Sequence, residues 1–126
     1  METTEHFFHK AEENLKASQL LFDSGLYNAC ANRAYYASLQ AALASLEANG
    51  FKRSRIDHGI VQADFAQRLI KRKKVYPNKF KSWLSDMHSV RDQADYSVKN
   101  VSRKLASVQL LQATEFIEVI RKDLTK

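Results

Sequence analysis

The sextet Arg91-Asp92-Gln93-Ala94-Asp95-Tyr96 gathers residue types able to act on a phosphate. An arginine guanidinium grips phosphate oxygens through forked, charge-assisted hydrogen bonds and stabilises charge developing on them. Proton transfer is served less well. A tyrosine such as Tyr96 has a reference pKa near 10, about 3 units above neutral, and a carboxyl such as Asp95 errs on the acid side. Arg91 and Asp95 also stand one helical turn apart, the spacing of an ordinary ion pair worth about 0.3 kcal/mol when exposed. A second stretch, Asn32-Arg33-Ala34-Tyr35-Tyr36-Ala37, puts Arg33 and two tyrosines on adjacent helical faces. One ring can pack in a core while Arg33 and the other reach a cleft or a partner subunit. A flat ring with a hydroxyl suits base stacking or an interface. Both rings packing in the core is the competing arrangement.

The charge is uneven. Of the formal +6, residues 51 to 81 hold ten basic side chains, among them Arg53, Arg55, Lys71, Arg72, Lys73 and Lys74, against only Asp57 and Asp64. That local +8 leaves −2 for the remainder. A concentrated positive segment is the electrostatic footprint of a polyanion-binding surface, because each neutralised phosphate releases counterions. A solvated, solubilising face gives the same count.

The elements that must position these groups read as helices. Three glycines and one proline in 126 residues favour long helices over strands and turns. From Thr4 to Ser24, Phe8, Ala11, Leu15, Ser18 and Phe22 recur at spacings of three and four, and Gly25 supplies a left-handed stop. A second helix spans Leu26 to Asn49, with stripes on two sides and seven alanines between residues 29 and 44. Small side chains let other backbones come close, which places it at the centre of a bundle. Asp57 is expected to cap a third helix that turns Ile60, Val61, Phe65 and Leu69 inward and ends in Lys71-Arg72-Lys73-Lys74. Pro77 breaks the chain; Phe80, Trp83, Leu84, Met87, Val90 and Ala94 define a fourth helix with Arg91 at the margin of its core side. Leu105, Val108 and Leu111 open a fifth helix that continues through Phe116, Ile117, Ile120 and Leu124. The expectation is one all-α domain over residues 1–126, an antiparallel bundle of four to five helices.

Several classes of function are disfavoured. Cys30 is the sole cysteine, so no intramolecular disulfide forms, and a thiol among alanines reads as a small buried apolar group. His6 and His9 share a face with Glu12 or Glu13 but lack remote ligands, so no metal and no cofactor is expected. His58 and His88 are lone histidines. There is no Gly-rich phosphate loop and no Cys-x-x-Cys pair. The amino end has no signal-peptide pattern and no run of apolar residues reaches membrane-spanning length, so a cytoplasmic protein without membrane contact is expected.

The order Asn32-Arg33-x-Tyr35-Tyr36-Ala37, then His58-Gly59, then Arg91-x-x-Ala94-Asp95-Tyr96 resembles the small prokaryotic HEPN domains over nearly the whole chain. The resemblance implies a HEPN-like helical bundle, a homodimer, and RNA or nucleotide as ligand, in toxin–antitoxin or phage-defence settings. In catalytically competent HEPN proteins an arginine followed after four to six residues by a histidine cuts RNA without metal, two such motifs meeting across the dimer cleft. Arg91 supplies the arginine, but Tyr96, Ser97 and Val98 stand where the histidine belongs. Any catalysis would fall to Arg91, Asp95 and Tyr96. Binding would fall to Arg33, Tyr36, Arg53, Arg55, Lys71, Arg72, Lys73 and Lys74, with Arg33 and Tyr36 expected close to Arg91. The alternative that the resemblance implies is a non-catalytic partner of a small nucleotidyltransferase, with Tyr96 as a target of nucleotide transfer.

Overall fold

The structure, a computed structural model, describes residues 2–51, 58–72 and 76–126. Its elements are α1 (Glu2–Asp23), α2 (Tyr27–Ala48), α3 (His58–Asp64) running on as a π-helix (Phe65–Arg72), a 3-10 turn (Asn78–Lys81), α4 (Trp83–Tyr96) and α5 (Arg103–Leu124). Among the described residues there is no strand. The fold is an all-α helical bundle.

α2 is the axis of the bundle, and α1, α3, α4 and α5 all pack against it. Its alanines make this possible: Ala34, Ala37, Ala41, Ala42 and Ala44 are fully buried, and their small side chains let neighbouring helices approach from several sides. α1 folds back along α2 through a tight turn in which Gly25 adopts φ 75°, a left-handed conformation costly for any residue with a Cβ. The Ser18 hydroxyl donates to the Cys30 carbonyl at 2.8 Å and ties the two helices together. α5 begins with a proper cap, the Ser102 Oγ accepting from the Leu105 N–H at 3.0 Å.

The main core is aromatic. Phe65, Phe80 and Phe116 are buried with ring centres 4.9 to 5.2 Å apart across Phe116, and each contributes about 2–3 kcal/mol by leaving water. A smaller cluster of Cys30, Ala31, Val101, Ala106 and Leu110 closes the end of the bundle near the α1–α2 turn.

The periodic reading holds for α1 and for α2 from Tyr27 on, Leu26 preceding that helix at 55% exposure; Phe80 lies on the 3-10 turn rather than on α4, and two further places need correction. Val61, Phe65 and Leu69 are buried as expected, but Ile60 is 45% exposed, and Ile70 is buried instead. The π-helix accompanies the second change: its wider turn brings residues five apart, such as Phe65 and Ile70, into line on one face. In α5, Val108 and Leu111 are exposed, while Ala106, Gln109, Leu110 and Ala113 form the inner stripe leading to Phe116, Ile117 and Ile120. Small and polar residues carry that stripe, so the largest apolar side chains marked the wrong face. The expected cap, Asp57, lies outside the described residues.

Candidate functional site

Where α2 and α4 cross, Arg91 is the central group. α4 buries its side chain to 10% exposure, deeper than the core margin that periodicity places it on. Its Nη1 lies 3.1 Å from Asp92 Oδ1 and 3.8 Å from Asp95 Oδ2. The guanidinium carbon stands 5.6 Å from the ring centre of Tyr35, 5.5 Å from that of Tyr36 and 5.9 Å from that of Tyr96, within cation–π range of all three. Burial opposes the charge, but Tyr36, Asp92, Tyr96 and Asp95 together favour it more strongly and hold the guanidinium pKa above its ordinary value. Arg91 Nε is buried and finds no hydrogen-bond partner among the described residues. An unmade bond of that kind costs about 1–3 kcal/mol, so internal bonding alone does not account for the placement of this side chain.

α2 supplies the second arginine. Arg33 Nη1 donates to Asn14 Oδ1 at 3.1 Å, and its Nε and Nη2 donate to Asn32 Oδ1, the former at 2.8 Å. The guanidinium lies 5.0 Å from the Tyr36 ring centre. Asn32 then passes the connection on, its Nδ2 donating to both Asp95 oxygens at 3.1 and 2.9 Å. Arg33, Asn32, Asp95 and Arg91 therefore form one polar chain between the helices, with Tyr36 beside both guanidinium groups.

Tyr35 and Tyr36 divide their roles. Tyr35 is fully buried and Tyr36 half-buried, their rings meeting edge to face at 5.3 Å. Burial pushes the Tyr35 hydroxyl up to about 12, against the lowering effects of the Gln62 hydrogen bond and of Arg91. Tyr96 is 78% exposed at the end of α4, and the neighbouring Val98 is fully exposed.

The structure thus brings Arg33, Tyr36, Arg91, Asp95 and Tyr96 together. Arg53, Arg55, Lys73 and Lys74 lie outside the described residues, and Lys71 and Arg72 fall on the π-helix with side chains likewise outside them. Two described members of the basic segment are engaged internally: Arg68 pairs with Asp64 at 3.6 Å and stacks on Phe51 at 4.5 Å, and Lys79 pairs with Glu115.

Four residues that sequence reasoning passed over belong to the same cluster. Asn14 and Asn32 hold Arg33; Asp92 holds Arg91; His88, read as a lone histidine, stacks on Tyr35 at 5.0 Å and points Nε2 at Asp92 Oδ1 from 3.7 Å. The His88 and Asp92 spacing of one helical turn, three residues from Arg91, was the available signal.

Among the described residues no group of three or more His, Cys, Asp or Glu side chains could hold a metal ion, and no described helix is long and apolar enough to cross a membrane. No curated protein matches the chain. The Arg33 and Arg91 helices that build this cluster both fall within residues 4–123, the span that matches the family model for the HEPN domain, and the chain belongs to that family.

Proposed function

We propose that the protein binds RNA or a nucleotide through its phosphates at the Arg91 cluster, as a homodimer acting in a toxin–antitoxin or defence-type system inside the cell. One observation carries this reading: a buried, permanently charged arginine is held beside a half-buried and an exposed tyrosine, with a second arginine on the same Tyr36 ring. The guanidinium groups suit phosphate and the rings suit bases. Binding is favoured over cleavage, because Tyr96 stands in the histidine's place and a phenol is poorly matched to proton transfer near neutral pH. A shared groove between two copies would bring two such guanidinium pairs together, and the basic segment of residues 51 to 81 would supply positive charge along a bound strand.

The test is titration of a labelled single-stranded RNA at several salt concentrations, with sedimentation to establish the oligomeric state. Affinity is expected to fall steeply with salt, and Arg91→Ala is expected to lower it about tenfold or more, the scale of one charge-assisted hydrogen bond. Binding indifferent to salt and to this substitution would remove the reading.

The 78% exposure of Tyr96 favours a second reading, in which the protein is the non-catalytic partner of a small nucleotidyltransferase and Tyr96 its acceptor. Mass analysis of protein co-expressed with the product of a neighbouring gene checks it; a pure protein that neither holds a partner nor gains mass would end it.

A further inference from the structure

We infer that His88 is a positioning residue for the Arg91 site, sharing Asp92 with it, so that protonation of His88 loosens the hold on the guanidinium and makes the site take phosphate more tightly. The inference rests on the reading of that cluster as a phosphate site.

The hydrogen bonds around the ring set its proton. Gln62 Nε2 lies 2.9 Å from His88 Nδ1 and 3.3 Å from the Tyr35 hydroxyl. An amide nitrogen only donates, so Nδ1 accepts and the neutral ring carries its proton on Nε2. That nitrogen faces Asp92 Oδ1 at 3.7 Å, and the same oxygen is held by Arg91 Nη1 at 3.1 Å. Tyr35, stacked at an interplanar angle of 13°, keeps the ring in this plane. With Nδ1 accepting from Gln62 and Nε2 carrying hydrogen, neutral His88 presents no base to a bound ligand. It acts on Asp92.

The groups facing the ring from each element packed against it, among the described residues, are Tyr35 of α2, Gln62 of α3, and Arg91 and Asp92 of α4. Among the described residues around them, Arg33 and Arg91 are matched in formal charge by Asp92 and Asp95. Protonation changes this in two ways of the same sign. The imidazolium competes with Arg91 for Asp92 Oδ1, and it adds a positive charge beside the guanidinium.

The experiment is titration of a labelled single-stranded RNA at constant ionic strength from about pH 8 to about pH 5.5, the range over which histidine charges. Wild-type affinity is expected to rise on acidification by about fivefold more than that of His88→Gln, the effect of weakening one half-exposed ion pair. Glutamine hydrogen-bonds but does not titrate, and His6, His9 and His58 remain in every variant, so their charging cancels in the comparison. Asp92→Asn removes the shared carboxylate and is expected to bind about fivefold more tightly than wild type already at pH 8, an increase that misfolding cannot produce. A His88→Gln profile as steep as wild type, or an Asp92→Asn protein no tighter than wild type, overturns the inference. Loss of binding in Arg91→Ala alongside either result leaves the phosphate reading standing; wild-type binding in Arg91→Ala overturns both.

Discussion

Arg33 and Arg91, from two different helices, lie 5.0 and 5.5 Å from the centre of the same Tyr36 ring. Two like charges would ordinarily repel at such a junction. Here the ring's electron-rich faces attract both, and Asn32 bridges from Arg33 to Asp95, the carboxylate that faces Arg91. The junction is a way of storing two cations close together at the crossing of α2 and α4.

Replacing Tyr36 separates the ring from its hydroxyl. Tyr36→Phe keeps the aromatic face and is expected to leave RNA affinity within about twofold of wild type, whereas Tyr36→Leu forfeits two cation–π contacts worth about 0.5–1 kcal/mol each and lowers affinity about fivefold to tenfold. Fluorescence anisotropy of a labelled RNA measures both. Equal losses in the two variants would assign the effect to the hydroxyl instead.

Alkaline stability follows from Tyr35. Burial is the main cause that lifts its hydroxyl to about 12, above the usual value near 10, so the folded state favours the protonated phenol. Its stabilising contribution is complete below about pH 10 and is lost as pH climbs through about 12, because the unfolded chain releases that proton first. The full loss amounts to about 3 kcal/mol for this one group. Urea midpoints measured from about pH 9 to about pH 12 are expected to fall less steeply in Tyr35→Phe than in wild type.

The helices were legible because α1 and α2 repeat their apolar residues at strict spacing and stop at Gly25 and Gly50, both of which take positive φ. What escaped reading was set by contacts between helices. Nothing local marks Phe65–Arg72 as a π-helix; the turn widens because Phe65 and Ile70 both find room in the core. The inner stripe of α5 is hidden because Ala106, Gln109 and Ala113 are unremarkable residues that happen to face Ala-rich α2. At the candidate site, Arg91 and Tyr36 stood out by type, while His88 and Asp92 did not. Their relevance comes from sharing one oxygen with Arg91 and from Gln62 reaching across from α3.

Cys30 is expected to be inert in the folded protein. The thiol is fully buried, and desolvation is the main cause that raises its pKa, against the lowering effect of the Ser18 hydroxyl. Reaction needs the thiolate, which both burial and inaccessibility suppress. A chromogenic disulfide reagent is expected to label it only after denaturant unfolds the chain, and rapid labelling of the native protein would contradict this placement.

Tyr76, which follows the basic run Lys71-Arg72-Lys73-Lys74 in sequence, is buried and anchors its segment to the core. Its hydroxyl is hydrogen-bonded with Ser45 of α2 and donates to Asp123 Oδ2 of α5 at 2.9 Å, and its ring stacks on Phe65 at 5.4 Å. Burial is the chief cause that pushes the hydroxyl well above its usual range. Tyr76→Phe keeps the stacked ring but leaves the buried Ser45 hydroxyl without its acceptor and Asp123 without this donor, so it is expected to cost about 1–2 kcal/mol, lowering Tm by about 3–8 °C. Tyr76→Ala also empties the aromatic cluster and is expected to cost about 3–5 kcal/mol. The difference between the two, read from urea midpoints at unchanged slope, separates the polar anchor from the packing. Equal losses would mean that the ring adds nothing and that the hydroxyl's bonds alone hold this segment to the bundle, whereas an unchanged Tyr76→Phe would leave the packing on Phe65 as the whole anchor.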